Sequence, residues 1–124
     1  MKKMRLLFLL VAFMAFGTIA QAQVLWTSMM VTTLDDKGNV QRGTTVKIYA
    51  SEDDYDNDEN VVAEGKTDEK GRIKFKKIEA QSYFIRAEKG ELTNEDGAVQ
   101  TGGLIEKKLN KVNIIMEKGI PDIK

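Results

Sequence analysis

The run Thr67-Asp68-Glu69-Lys70-Gly71-Arg72-Ile73-Lys74-Phe75 constrains the fold more tightly than any other stretch of the 124-residue chain. Asp68 can accept backbone N–H groups at the head of a tight turn, and Gly71 can take a left-handed conformation at no steric cost. Beyond the turn, Arg72, Lys74 and Lys76 alternate with Ile73 and Phe75, the two-residue period of a half-buried strand. Ile73, Phe75 and Ile78 are therefore expected on a core. Residues 72–78 are expected to run back antiparallel to an extended segment over residues 61–67.

The same signal recurs along the chain. Residues 24–34 are apolar and β-branched, with Trp26, Met30 and Leu34 on one face and Leu25, Met29 and Val31 on the other, so both faces are expected to be covered. Asp35-Asp36-Lys37-Gly38-Asn39 is a second turn. Residues 44–50 set Val46, Ile48 and Ala50 opposite Thr45, Lys47 and Tyr49, and residues 82–89 set Tyr83, Ile85 and Ala87 opposite Phe84, Arg86 and Glu88. Weaker alternation over residues 90–103 predicts a short edge strand near Val99. Residues 104–116 close the domain with Val112, Ile114 and Met116 on one face. After residue 22 no window keeps apolar residues at helical spacing, and turn signals recur every roughly 8 to 12 residues. The expected architecture is all-β, a seven-stranded Greek-key β-sandwich. Residues 51–60 interrupt the pattern: Glu52, Asp53, Asp54, Asp56, Asp58 and Glu59 repel one another and carry little apolar surface, which predicts a mobile loop.

Residues 1–22 stand apart. Lys2, Lys3 and Arg5 precede an apolar run from Leu6 to Phe16, and Ala20-Gln21-Ala22 follows, the three parts of a secretory signal. The run is shorter than the roughly 20 residues that a membrane-spanning helix needs. Cleavage after Ala22 is expected, with a sandwich over residues 23–118, a short tail over residues 119–124 and no membrane span in the mature chain. The chain has no Cys, so neither a lipid-bearing N-terminal Cys nor a disulfide can form, and a periplasmic or extracellular product is expected. Removing Lys2, Lys3 and Arg5 from 19 basic residues leaves 16 against 19 acidic, a charge of about −3. That balance argues against a nucleic-acid partner, which requires a basic footprint. Arg72, Lys74, Lys76 and Lys77 read instead as a solvated strand face that discourages edge-to-edge aggregation.

Taken in order, Val31-Thr32-Thr33-Leu34-Asp35-Asp36-Lys37-Gly38, Gly43-Thr44-Thr45-Val46-Lys47-Ile48-Tyr49, Thr67 to Phe75 and Tyr83-Phe84-Ile85-Arg86-Ala87 resemble the carboxypeptidase regulatory-like domain. That domain is a transthyretin-like (prealbumin-like) β-sandwich related to the B-type repeats of collagen-binding adhesins. The resemblance spans nearly all of the chain after the signal and implies architecture far more than activity. Similar domains serve as accessory modules beside enzymes, as spacers in adhesins and at the N-termini of outer-membrane uptake porins. A module standing alone behind a signal is expected to find its partner in another chain. An enzyme of the same fold, hydroxyisourate hydrolase, uses histidines, and this sequence has none, so that activity is not expected. Related adhesin repeats often carry a Lys-to-Asn crosslink. Asn110 and Asn113 lie near the last strand, but residues 24–34 contain no Lys, Lys37 falls in a turn and Lys47 should point outward. No such crosslink is expected.

Without His or Cys, no Ser-His or Cys-His nucleophile can be built, and carboxylates in a solvated loop lack the burial that raises a catalytic pKa. No catalytic residue and no cofactor are expected, apart from one weak metal candidate. Asp54, Asp56, Asp58 and Asn60 recur at every second position, as oxygen ligands do in calcium loops, although Glu59 and Gly65 stand where such a loop has a tight-turning Gly and a bidentate Glu. Tyr55 and Phe84 read as exposed aromatics able to stack on a sugar ring, Trp26 and Tyr49 as half-buried. The leading expectation is a non-enzymatic secreted or periplasmic module that binds a protein at the cell envelope through a sheet edge or loop end. A carbohydrate-binding module and a calcium-stiffened adhesion unit are the alternatives.

Overall fold

The computed structural model describes residues 26–119, so the signal segment, its cleavage point, Leu25 and the tail beyond Gly119 lie outside the described residues. Seven strands follow in chain order: β1 (Ser28–Asp35), β2 (Thr45–Tyr49), β3 (Ala63–Lys66), β4 (Arg72–Phe75), β5 (Phe84–Lys89), β6 (Leu92–Thr93) and β7 (Leu109–Lys118). One short helix, α1 (Glu52–Asn57), lies between β2 and β3. The strands join in the order β3-β2-β5-β6-β7-β1-β4. This ribbon folds over on itself, with β4, β1 and β7 in one layer, β3, β2, β5 and β6 in the other, and the end of β7 pairing with β6 to link them. The all-β sandwich expected from the alternation is the fold observed.

The core follows the two-residue period. Met29 and Val31 of β1, Phe75 of β4, and Ile114 and Met116 of β7 face Val46 and Ile48 of β2 and Ile85 and Ala87 of β5. Burying a side chain the size of Val, Ile or Met stabilises by about 1.5–3 kcal/mol, and without disulfides these side chains hold the layers together. Tyr83 joins them, its ring buried and its hydroxyl donating to the Glu79 carbonyl at 2.8 Å.

Several expectations are corrected. Residues 61–67 and 72–78 do not form a hairpin: β3 pairs with β2 and β4 with β1, so residues 67–71 carry the chain from one layer to the other. Among the described residues only one face of β1 is covered, because none of them packs over the second; Met30 and Leu34 are half-buried and Trp26 is exposed. Tyr49 is buried and Ala50 exposed, the reverse of the alternation, because α1 lies over the outer face of β2 and shields Tyr49. The last strand begins at Leu109 and runs parallel to β1, pairing Ser28 with Leu109 through to Asp35 with Met116. Near Val99 there is a single bridge, Phe84 to Gln100, instead of a strand, and the short strand of this region is β6.

The free side of β5 shows how the irregular stretch between β6 and Thr101 is tolerated. β6 pairs with Glu88 and Lys89, and the Ile85 N–H donates to the Val99 carbonyl at 2.7 Å. Between them the buried Asn94 side chain replaces the missing backbone: its Oδ1 accepts from the Ala87 N–H at 2.9 Å and its Nδ2 donates to the Ile85 carbonyl at 2.8 Å. A side-chain amide has the donor and acceptor of a peptide group, so β5 keeps its bonds without a neighbouring strand.

The two Asp-x-x-Gly turns share one geometry. Asp35 Oδ1 accepts from the N–H groups of Lys37 and Asn39, and Asp68 Oδ1 accepts from those of Lys70 and Arg72. These backbone donors hold both carboxyls below the ordinary carboxylate value. Behind the second turn lies a buried polar knot. The hydroxyls of Thr33, Thr44 and Thr67 lie 2.9, 3.0 and 2.7 Å from the Gln41 carbonyl oxygen. The Thr33 N–H donates to the Gly71 carbonyl at 2.8 Å, and the Thr44 N–H to the Thr67 hydroxyl at 3.0 Å. Gly71 has φ +72°, and a Cβ there would sit 2.9 Å from the Thr33 carbonyl oxygen; Gly38, with φ +87°, has nothing within 4 Å of that position. Gly38→Ala therefore carries only the left-handed penalty of about 1–2 kcal/mol. Gly71→Ala adds a clash with the knot and should cost at least about 1 kcal/mol more. Urea denaturation of the two variants checks this: equal midpoints would show that the knot yields freely at Gly71.

Candidate functional site

The acidic segment expected to be a mobile loop is instead α1, and the reasons are local. Ser51 caps it, its Oγ accepting from the Asp54 N–H at 3.2 Å, and Glu52, Asp53 and Asp54 occupy the first turn, where the helix dipole favours negative charge. Asp58 ends it in the left-handed conformation, its N–H bonded to the carbonyls of Asp54 and Tyr55. The anchor is Tyr55. Its ring packs edge-on against Tyr49 at 5.7 Å and tilted against Phe84 at 6.3 Å, and the Arg86 guanidinium lies 4.3 Å over it. Tyr55 is thus buried, not the open sugar platform read from the sequence, and Phe84 is half-buried beside it.

Beneath the helix is a cluster of charges with assigned partners. Arg86 Nη2 donates to the Tyr55 carbonyl at 2.6 Å, and its Nη1 to Glu95 Oε1 at 3.0 Å. Asp58 accepts from the Tyr49 hydroxyl and from Lys47 Nζ, the latter at 3.3 Å. These two donors offset a carboxylate at a helix C-terminus, where the dipole disfavours it, and hold its pKa below the ordinary value. The Tyr49 hydroxyl is pushed up, by burial first and by the Asp58 bond second. Thr45, Lys47, Asp58, Arg86 and Glu88 line a cavity of about 70 Å³, and the buried Arg86 Nε has no protein partner. A space of that size and polarity is suited to a bound water.

Of the four calcium candidates, only Asp54 and Asn60 are brought into contact. Asp54 and Asp56, two positions apart on a helix, point to different sides, Asp58 is engaged by Tyr49 and Lys47, and Asn60 Nδ2 donates to Asp54 Oδ1 at 3.0 Å. Among the described residues no group of three or more Asp or Glu side chains is placed to hold a metal ion. The crosslink candidates are also apart: Lys47 is tied to Asp58 on the β2 layer, whereas Asn110 on β7 donates through Nδ2 to the carbonyls of Ser28, Ile105 and Lys108.

The open surface lies on the other layer. On the outer side of β4, β1 and β7, Met30 is flanked by Lys74 and Lys111, and Thr32 by Arg72 and Asn113. A groove of about 780 Å³ is lined by Trp26, Ser28, Lys74, Lys76, Lys107, Lys108 and Leu109, and one of about 450 Å³ adjoins it between Met30, Arg72, Lys74 and the Asp68-Glu69-Lys70 turn. Trp26, Ile115 and Leu109 are 52%, 47% and 41% exposed. Lys77 Nζ lies 3.8 Å from the centre of the Trp26 ring, a cation–π contact. Sequence reasoning found the β4 cations and missed their neighbours on β7. With Ile114 and Met116 assigned inward, the two-residue period already sets Leu109, Lys111, Asn113 and Ile115 outward.

This geometry is a seven-stranded β-sandwich with one short helix, and solved structures of pilus proteins share its fold. A streptococcal ancillary pilin matches with TM-score 0.58 and 14% identity, over 76% of this chain and 33% of that one. The major pilin subunit BcpA of Bacillus cereus matches with TM-score 0.53 and 21% identity, over 76% and 30%. The shaft pilin spaA of Lactobacillus rhamnosus GG matches with TM-score 0.52 and 15% identity, over 77% and 50%. The chain thus covers between 30% and 50% of these larger proteins, and at such identities the likeness is one of fold. No protein-family model and no curated protein sequence matches the chain.

Two variants probe the covered side. Tyr55→Ala removes the ring that holds α1 to the sheet and should cost about 3 kcal/mol, the scale of a buried aromatic truncation, read from the chemical denaturation midpoint; an unshifted midpoint would show that α1 stays without its anchor. Asp58→Asn tests the charge cluster. A carboxyl whose native pKa is lowered stabilises above its ordinary value of 3.8 and loses that contribution as pH falls through the native value. The melting temperature of the protein should exceed that of the variant near neutrality, and the gap should close as pH drops below 3.8. A gap independent of pH would place the effect outside the titration of Asp58.

Proposed function

We propose that this protein is an exported, non-enzymatic β-sandwich module that binds another protein at the cell envelope, through the outer face of β4, β1 and β7. One observation carries the reading: a sheet face that none of the described residues covers, with Trp26, Met30 and Leu109 set among cations. An exposed Trp and Leu beside a half-buried Met, ringed by polar groups, match the composition of protein interfaces, where a large side chain is buried by the partner and the rim stays wet. Export is supported by the signal-like residues 1–22, and the lack of His and Cys favours binding over acid–base or nucleophilic catalysis. Among the described residues no helix is long and apolar enough to cross a membrane. The solved neighbours are named as pilus subunits, which accords with a role in assembly at the cell surface.

A photo-crosslinking benzoylphenylalanine placed at Met30 or Leu109 in exporting cells tests the reading. Irradiation should give discrete protein adducts from both positions and none from a control at Asp36, on the exposed turn. Adducts from Asp36 alone, or from none of the three, would overturn the assignment of the face.

A further inference from the structure

The two outer faces of the sandwich carry opposite charge. On the open side, Arg72, Lys74, Lys76, Lys107, Lys108 and Lys111 surround Met30 and Leu109, and among the described residues none of the six forms an ion pair. On the opposite side α1 turns Tyr55 to the sheet and Glu52, Asp53 and Asp56 to solvent. The cations nearest to α1 do not neutralise these three, since Lys47 is bound to Asp58 and Arg86 to Glu95 and the Tyr55 carbonyl. Each copy therefore presents an acidic ridge on one side and, on the other, a shallow groove where these six cations outnumber Asp68 and Glu69 of the adjoining turn.

We infer that the partner of the open basic face is a second copy of this chain, which seats the outward side of its α1 in the groove. The inference rests on the reading of that face as a protein-binding surface and names what it binds. Ridge and groove are different patches on opposite faces, so the contact is heterologous: a pair of copies keeps one unused ridge and one unused groove, and association proceeds head to tail beyond two chains. A two-fold pairing of basic faces would set like charges together and is disfavoured. Contacts of this kind are screened over about 8–10 Å at physiological ionic strength, so the assembly must weaken with salt.

Sedimentation velocity on the exported chain tests this. Sedimentation should rise with protein concentration at low salt, with the apparent association constant falling at least about tenfold between about 20 and 300 mM NaCl. Lys74→Glu with Lys111→Glu should abolish association, as should Glu52→Lys with Asp56→Lys. Both lysines lie on the solvent side of the sheet, so the first variant should keep its melting temperature, and it decides the matter alone if the helix variant unfolds. An equimolar mixture of the two variants pairs the intact ridge of one with the intact groove of the other, and association absent from either alone should return in it at low salt. A concentration-independent monomer at low salt, or association that survives Lys74→Glu with Lys111→Glu, overturns the inference. Crosslinks from Met30 to a different protein, with no self-association, overturn the second copy as partner while the protein-binding reading stands.

Discussion

Three threonine hydroxyls and one carbonyl oxygen meet at the end of the sandwich where the chain passes from layer to layer. Thr33 comes from β1, Thr44 from the residue before β2, and Thr67 from the residue after β3; all three are buried, and all three approach the Gln41 carbonyl. That oxygen has two lone pairs, so the three hydroxyls cannot all donate to it together. Thr33 has further acceptors in the Thr44 hydroxyl at 3.3 Å and the Gly71 carbonyl at 3.4 Å. In a buried setting an unpaired hydroxyl or carbonyl costs about 1–3 kcal/mol, so the group holds as a unit. It fixes where β1 stops, where β2 begins and where residues 67–71 cross, and the pairing of β4 with β1 and of β3 with β2 follows.

From that arrangement the two outer faces acquire different fates. The connection from β2 to β3 is long enough to fold back as α1 over β2 and β5, and Tyr55 converts the outer side of that layer into a small second core with Tyr49, Phe84 and Arg86. No described segment does the same for β4, β1 and β7. The covered face is thus an interior with its charges paired, and the open face is a surface with its cations free to meet a partner. Placing the acidic carboxylates on a helix instead of a flexible loop also gives them one fixed orientation, which is what makes them a defined surface for another molecule.

The inward halves of β1, β2, β5 and β7 were legible because side chains on a strand alternate, and Met29, Val31, Val46, Ile48, Ile85, Ala87, Ile114 and Met116 lie where the period puts them. Alternation is blind to what covers the second face, so Tyr49 and Trp26 both read as half-buried, whereas Tyr49 is buried and Trp26 exposed. The acidic segment misled for a related reason: six residues are too few for a visible helical period, and like charges argue against order. Its signals were the Ser51 cap and a lone aromatic, Tyr55, in an otherwise polar run. Asn94 was unreadable as a structural residue, because a side chain that replaces a strand bond leaves no trace in hydrophobic patterning.

The sequence by itself determined the all-β class, the turns at Asp35 and Asp68 and the inward face of most strands, since these depend on period and turn chemistry within a few residues. Only the tertiary structure decided that β3 and β4 belong to different layers, that β7 runs parallel to β1, and that one outer face is shielded while the other stays open. Those outcomes depend on which surfaces meet across tens of residues, through the hydroxyl knot at Gln41 and the ring of Tyr55, and local pattern carries no record of such encounters.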